Sequence, residues 1–186
     1  MKIRQSKWLP VLILALAALM IFAAGCGSDD KQSEPNNQQQ GVDQKEQLAV
    51  TLYFSDDQAM HLIPEERTIE VASEQPAAVG KAVLEELIAG PTTEGLNRIM
   101  PDDTEVLAVE VTDAVAQVDL NQAFKDNHWG GSEGEIHTLY SIVNTLAKNI
   151  DVTAVQFTIE GQVDESILGH IDTSEPLAPD FDIIKE

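Results

Sequence analysis

The chain contains a single cysteine, Cys26, which limits the ways in which its fold can be stabilised. One cysteine cannot form an intramolecular disulfide, so a buried apolar core must supply the stability. The cysteine follows an N-terminal segment in which the basic residues Lys2, Arg4 and Lys7 precede an apolar run, residues 8–24. A basic region, an apolar region and small residues at a cleavage point are typical of a secretory signal.

The residues around the cysteine, Phe22-Ala23-Ala24-Gly25-Cys26, resemble the bacterial lipobox, with Ala23 where a branched aliphatic residue is usual. The resemblance implies that the signal peptide, residues 1–25, is removed and that Cys26 carries a diacylglyceryl group. The alternative is an uncleaved signal anchor, because an apolar run of this length is near the lower limit for crossing a bilayer. The lipoprotein interpretation predicts a chain held by its acyl chains on the extracytoplasmic face of the cell membrane.

The charge of the chain excludes one class of partner. It has 32 acidic residues against 11 Lys and Arg, and its net charge is −21. Nucleic-acid binding needs clusters of basic residues, and adhesion to anionic lipid headgroups needs them as well. We therefore expect no nucleic-acid partner and membrane contact through the lipid. An acidic surface that keeps the protein soluble is the preferred interpretation, with Ca²⁺ or a basic partner as alternatives.

The composition of the remaining chain divides it into a linker, a domain and a tail. Residues 26–47 form a polar linker without aromatic residues, which cannot bury enough apolar surface to fold. A domain is predicted at residues 48–178, followed by a tail, residues 179–186. Apolar runs predict strands at 48–54 and 152–161, and alternating patterns predict strands at 105–111 and 114–120. A further hairpin is predicted from 60–63 and 67–71, with Pro64 in its loop.

Helical spacing predicts a helix from Pro76 to the Gly90-Pro91 stop and a second helix at 135–148. Between them, Leu96, Ile99 and Met100 are expected to pack on the core from an irregular connector. One strand face is predicted from Leu107, Val109 and Val111, and another from Ala116, Val118 and Leu120. The order β-β-β-α-β-β-α-β predicts an α+β fold, with a mixed, mainly antiparallel sheet and two helices packed on one face.

Several short motifs, in this order, resemble the GerMN domain of exported and membrane-anchored bacterial proteins. They are the helix exit LIAGPTTEGL at 87–96, Met100-Pro101 with Thr104, VDLN at 118–121 with Phe124, and Glu135 with IVNTL at 142–146. Asp103 and Asp113 stand where the family prefers glycine. The resemblance implies an α+β domain similar to ring-building modules of secretion systems, without established catalytic residues. It also implies a structural or interaction role in sporulation, germination or envelope assembly. A homo-oligomer is kept as one form that docking by such a module could take.

One loop has the composition of a ligand site. His128-Trp129-Gly130-Gly131-Ser132 precedes a helix, so its amides could bind an anion while Trp129 stacks on a sugar or peptide. The preferred alternative is a capping box, in which Ser132 caps the helix and Glu135 closes the box. A second set, Asp119, Asn121, Asn144 and Thr145, could also bind a ligand, but such residues more often satisfy backbone groups.

The sequence does not contain a recognisable catalytic or metal-binding motif. The four histidines are at least nine residues apart, and no P-loop or nucleophile-elbow pattern is present. We therefore predict a protein that is not an enzyme and needs no metal or cofactor. The leading hypothesis is a non-catalytic module that docks onto other envelope proteins. The alternatives are a lipoprotein that recognises cell-wall fragments or Ca²⁺ and, least favoured, an envelope hydrolase that uses carboxylates.

Overall fold

The computed structural model describes residues 46–185. The predicted signal peptide, Cys26 and the linker up to residue 45 lie outside the described residues. Within the described range the chain forms five strands and three helices. They are β1 (Glu46–Ser55), β2 (Leu62–Val71), α1 (Pro76–Ala89), β3 (Val106–Thr112), β4 (Val115–Leu120), α2 (Gln122–Asp126), α3 (Gly131–Ile150) and β5 (Ala154–Ile159).

The predicted α+β class with mainly antiparallel pairing is confirmed, and the strands divide into two sheets. β1 and β2 form an antiparallel pair, and the second sheet has the order β3-β4-β5. In that sheet β3 and β4 are antiparallel, while β4 and β5 are parallel because α3 forms the crossover between them. The short helix α2 was not predicted, since five residues are too few to show a helical period.

The hairpin predicted around Pro64 is wrong. Pro64 lies inside β2 and pairs with Tyr53, and the turn of the real hairpin is at residues 56–61. Proline is tolerated here because β2 has only one ladder along most of its length, so the missing N–H can face away from β1. The charged residues Glu65 and Glu66 suggested a loop, but one of them, Glu65, is buried beside the end of α1.

The predicted inner face of β3 is wrong at one position. Val109 is buried, whereas Leu107 is 44% exposed. The register shifts between Val106 and Ala108, and such a bulge turns one side chain to the other side of the strand. The next strand follows the prediction, with Ala116, Val118 and Leu120 fully buried.

The core is formed mainly by β1, β4, β5 and the two long helices. Its largest side chains with almost no exposure include Phe54, Phe124, Phe157, Leu84, Leu87 and Leu146. The connector residues Ile99 and Met100 are buried and Leu96 packs partly against them, as predicted. The helix α3 is buried over most of its circumference, and its buried residues include Thr138, Ser141, Asn144 and Thr145.

The polar stripe of α3 covers the free edge of β1. Ser141 donates to the carbonyl of Tyr53, and Thr145 Oγ1 accepts the Tyr53 N–H at 3.2 Å. One turn further, Asn149 Oδ1 accepts the Thr51 N–H at 3.0 Å and its Nδ2 donates to the Thr51 carbonyl at 2.7 Å. These side chains replace a neighbouring strand, so β1 can be buried on both sides without unpaired backbone groups.

The C-terminal segment returns to the first hairpin. Leu62 N donates to the carbonyl of Ile183, and Lys185 N donates to the carbonyl of Leu62, both at 2.9 Å. The amide of the fully buried Asn144 pairs with Asp180 through two hydrogen bonds of 2.6 and 2.9 Å. The segment predicted as a tail is therefore hydrogen-bonded to the domain along much of its length.

Candidate functional site

A cleft of about 410 Å³ lies where the end of β1, the connector around residue 97 and the start of α3 meet. Its volume falls in the range of roughly 300–1,000 Å³ that is usual for small-molecule sites. Its lining combines one aromatic ring with polar side chains and small residues. The polar and aromatic residues of the lining include Ser55, Asn97, Trp129, Glu133 and His137.

The wall formed by residues 130–134 depends on glycine. Gly130 is the residue before α3 and has a φ of 104°, and Gly131 follows with a φ of 59°. A Cβ atom on Gly134 would lie 2.8 Å from the Trp129 carbonyl oxygen, so only glycine allows this close approach. The glycines thus permit the turn that places Trp129 at the mouth of the cleft.

The predicted capping box at the start of α3 is wrong. The helix begins at Gly131, the residue before it is Gly130, and no side chain caps its first turn. Glu135, almost completely buried, instead accepts hydrogen bonds from the backbone N–H groups of His170 and Ile171, and its carboxylate lies 2.7 Å from His170 Nδ1. The carboxylate therefore holds the loop after β5, a partner that is distant in sequence.

Trp129 is held by its neighbour His128. The two rings are stacked with centroids 6.1 Å apart, and His128 Nε2 lies 3.0 Å from Thr138 Oγ1. Burial lowers the pKa of His128, although the negative charge of Glu135 acts in the opposite direction. The side chain of Trp129 remains 48% exposed, so part of the indole surface is open to a ligand.

His137 lies at the base of the cleft and is 5% exposed. Its Nδ1 atom is 2.8 Å from Ser55 Oγ, and that hydroxyl is also 3.2 Å from the Asp56 carbonyl oxygen. Burial lowers the pKa of His137, and His61 lowers it further, while Asp56 and Glu133 raise it. The net effect of these groups is a lowered pKa of His137.

The structure brings together only part of the predicted loop site. Trp129 and Gly130 line the cleft, His128 lies behind Trp129, and Gly131 and Ser132 are exposed outside the lining. Sequence analysis missed Ser55, Asn97 and His137. No local pattern could have identified them, because they come from a strand end, a connector and a helix that meet only in the folded chain.

The second predicted set serves the backbone, as the preferred interpretation held. Asp119 accepts hydrogen bonds of 2.8 Å from Thr158 Oγ1 and from the Gly161 N–H. Asn121 accepts the Glu105 N–H at 3.0 Å, and its amide donates to the Asp103 carbonyl. Among residues 46–185, no group of three or more His, Cys, Asp or Glu side chains is placed to hold a metal ion.

The helix-exit motif surrounds a buried carboxylate. Glu65 accepts hydrogen bonds from Thr92 N at 3.0 Å, from Thr93 N at 2.7 Å and from Arg67 Nε at 2.7 Å. Arg67 also donates to Glu86 Oε2 and to the Gly90 carbonyl. Burial alone would raise the pKa of Glu65, but these donors outweigh it and lower the pKa to about 2. The cluster fixes the chain as it leaves α1.

Comparison with known proteins identifies the family. A family model described as Germane, sporulation and spore germination, matches residues 51–165, more than half of the 186-residue chain. The chain belongs to the Germane family. The resemblance to GerMN domains is thereby confirmed, and the match runs from the middle of β1 to beyond β5 and includes the cleft residues. Among curated proteins, no sequence matches the chain significantly.

Solved structures agree with a Germane fold. The tandem GerMN domains of the Bacillus subtilis sporulation protein GerM match with 20% identity and a TM-score of 0.57, over 87% of this chain and 50% of that one. The first GerMN domain of GerM matches with 23% identity and a TM-score of 0.52, over 72% and 96%. A candidate lipoprotein of Clostridium perfringens matches with 24% identity and a TM-score of 0.51, over 71% and 87%.

Within residues 46–185, no helix has both the length and the apolar character needed to cross a bilayer.

Proposed function

We propose that the chain is a lipid-anchored, non-catalytic interaction module of the cell envelope, acting in an assembly linked to sporulation or germination. Its membership of the Germane family supports the link, and GerMN domains are not known as enzymes. The lipobox-like sequence at Cys26 and the similarity to a candidate lipoprotein support an anchor on the extracytoplasmic face.

The main support for a docking role is that the outer edge of β3 has no partner strand within residues 46–185. The edge of β1 is covered by α3, and the edge of β5 is bridged at Val155 by Leu177. The outer edge of β2 is bridged by Ile184 at Leu62 alone and is otherwise open as well, but it contains Pro64, which cannot donate a hydrogen bond to an added strand. Within residues 46–185, β3 has backbone hydrogen bonds to β4 alone. An open edge is a template for an added strand, and natural proteins usually cover such edges.

The residues of this edge favour a different protein over a second copy. Leu107 offers exposed apolar surface, and Glu105 and Glu110 are exposed beside it. Two identical edges would bring these carboxylates together, and like charges on facing strands are destabilising. An extended segment with Lys or Arg opposite the glutamates would avoid that repulsion, so a basic partner is expected and a homo-oligomer is the rival arrangement.

The docking proposal is tested by a photoreactive amino acid at position 107 in living cells. A substituted Leu107 should give crosslinked products with another envelope protein, because the side chain lies on the open edge. The matched control is Val163, which is 53% exposed and lies outside every strand. Equal products from both positions, products containing only this chain, or none at position 107 would contradict the proposal.

The anchor is tested in the same cells by labelling with palmitate. A Cys26→Ala variant should lose the label and the cleavage before residue 26, while the thermal unfolding of its domain stays unchanged. Normal acylation of this variant would refute the assignment of the anchor, and it would leave the docking result to be judged separately.

A further inference from the structure

The cleft beside Trp129 contains a polar side-chain atom, His137 Nε2, without a hydrogen-bond partner among residues 46–185. Nδ1 of His137 is occupied by Ser55, whereas Nε2 has no hydrogen-bond partner within residues 46–185. The atom is not enclosed, because Thr104 Oγ1 is the one fully enclosed side-chain N or O atom in that range without a partner. His137 lines the cleft, so Nε2 reaches the solvent that fills the cleft.

The cleft offers both acceptors and donors of hydrogen bonds. Asn97 donates through Nδ2 to the Asp56 carbonyl, and this orientation leaves its Oδ1 without a partner among the described residues. Glu133 adds an exposed carboxylate. The first turn of α3, which contains Glu133, has backbone N–H groups that no side chain caps. A ligand that both donates and accepts, as hydroxyl and acetamido groups do, matches this lining.

The charges of the cleft disfavour an anion. Arg98 is its basic residue, but the guanidinium group donates to the carbonyls of Ile88 and Ala89 at the end of α1. Glu133 stands in the lining and the chain as a whole is strongly acidic. An anionic ligand would meet the Glu133 carboxylate in a strongly acidic chain, and the Arg98 guanidinium already donates to two carbonyls, whereas a neutral ligand meets no such repulsion.

We propose that this cleft binds a neutral sugar ring, whose apolar face packs on Trp129 while its hydroxyl or acetamido groups bond to His137 Nε2 and Asn97. A half-exposed indole next to convergent polar groups suits a ring that is apolar on its face and polar at its rim. This binding is a function separate from the docking of a protein on β3, and neither proposal rests on the other.

The test uses the intact chain with Trp8→Phe, which leaves Trp129 as its single tryptophan. Titration with chitotetraose, a neutral oligomer of N-acetylglucosamine, should change the fluorescence of Trp129, release heat in calorimetry and raise the melting temperature. Tetragalacturonate has the same length but carries four carboxylates, and it should bind more weakly. Absence of any signal at tens of millimolar chitotetraose, or tighter binding of the anionic oligomer, would overturn the proposal.

Matched variants, made in the otherwise unchanged chain and read by calorimetry, locate the site. Trp129→Ala should weaken chitotetraose binding by roughly three- to tenfold, the range expected for a lost aromatic contact. Phe181→Ala removes an aromatic side chain of equal exposure, 49% against 48%, from outside the cleft, and it should leave the affinity unchanged. Gly134→Ala should displace Trp129 through its carbonyl and weaken binding as well. Equal effects of the Trp129 and Phe181 variants would refute the assignment of the cleft.

Discussion

At the scale of single residues, Glu65 shows how this acidic chain uses a buried charge. Its carboxylate accepts hydrogen bonds from two backbone N–H groups, and the guanidinium group of Arg67 lies beside it. Arg67 also lies over the ring of Phe54, 5.4 Å from its centroid. A buried carboxylate is stable only when its oxygens are paired in this way. The cluster therefore fixes the path of the chain after α1. The pKa of Glu65 is nevertheless lowered, as is often the case for a reactive group.

Replacing Glu65 should test this structural role. Glu65→Gln is expected to lower the free energy of unfolding at pH 7 by about 3 kcal/mol, since it removes one member of a buried ion pair. Glu94→Gln, at an exposed position, is the matched control and should have no measurable effect. Urea denaturation measures both. If the two variants are equally stable, the cluster makes no net contribution to the free energy of unfolding.

The stability lost in Glu65→Gln should depend on pH, and the lowered pKa of Glu65 sets the direction of that dependence. The folded state lowers the pKa of Glu65 from 4.5 to about 2, so the unfolded state binds the proton more readily. The contribution of Glu65 is therefore fully present above pH 4.5 and is lost as the pH falls towards 2. The stability difference between the parent chain and Glu65→Gln should shrink over this window. A difference that stays constant from pH 5 to pH 2.5 would contradict the lowered pKa.

At the scale of elements, α3 acts as a substitute for a strand. Ser141, Thr145 and Asn149 recur every four residues, so they form one stripe along the helix. That stripe faces Thr51 and Tyr53 of β1, which are both buried. Of these three residues, the sequence analysis singled out Thr145 alone, and its preferred interpretation there was that the side chain satisfies backbone groups. The tertiary structure uses all three to satisfy the backbone of a strand edge.

Removing one member of the stripe should open this edge locally. Asn149→Ala leaves the N–H and carbonyl of Thr51 without partners, which should cost about 2–3 kcal/mol of stability. The amide of Thr51 should also exchange with solvent faster, as followed by NMR. Lys148→Ala, on the exposed neighbouring residue, is the control. Unchanged protection of the Thr51 amide in Asn149→Ala would show that α3 does not cover β1 in this way.

The turn between β3 and β4 shows what local sequence can predict. The strands predicted at 105–111 and 114–120 leave only Thr112 and Asp113 between them, which implies a tight turn. In the structure the two turn residues, Asp113 and Ala114, both have positive φ angles. This is the geometry of the two-residue turns that match the twist of a hairpin. Aspartate tolerates it, so the departure from the glycine of the family changes nothing in the fold. The bulge next to Val106 was not predictable, because it depends on the partner strand.

At the scale of the whole molecule, the C-terminal segment closes the fold on the first hairpin. Deleting residues 179–186 removes two backbone bonds at Leu62 and both bonds of Asp180 to the buried Asn144. At about 1 kcal/mol each, the loss should be about 4 kcal/mol. Deleting Glu186 alone is the control. In a double-mutant cycle, Asn144→Ala should cost less in the shortened chain than in the full one. Additive losses, measured by thermal unfolding, would argue against this coupling.

Sequence patterns alone are enough to predict the α+β class, the two long helices, most of the strands and the family. These features rest on short-range periodicity, turn residues and ordered motifs, which are local properties. Four features depend on the packing of the folded chain: the division into two sheets, the path of β2 through Pro64, the exposure of Leu107 and the partner of Glu135. That packing alone brings Ser55 and His137 beside Trp129. The physical reason is that burial and pairing depend on residues far apart in the chain, and no local pattern encodes which of them will meet.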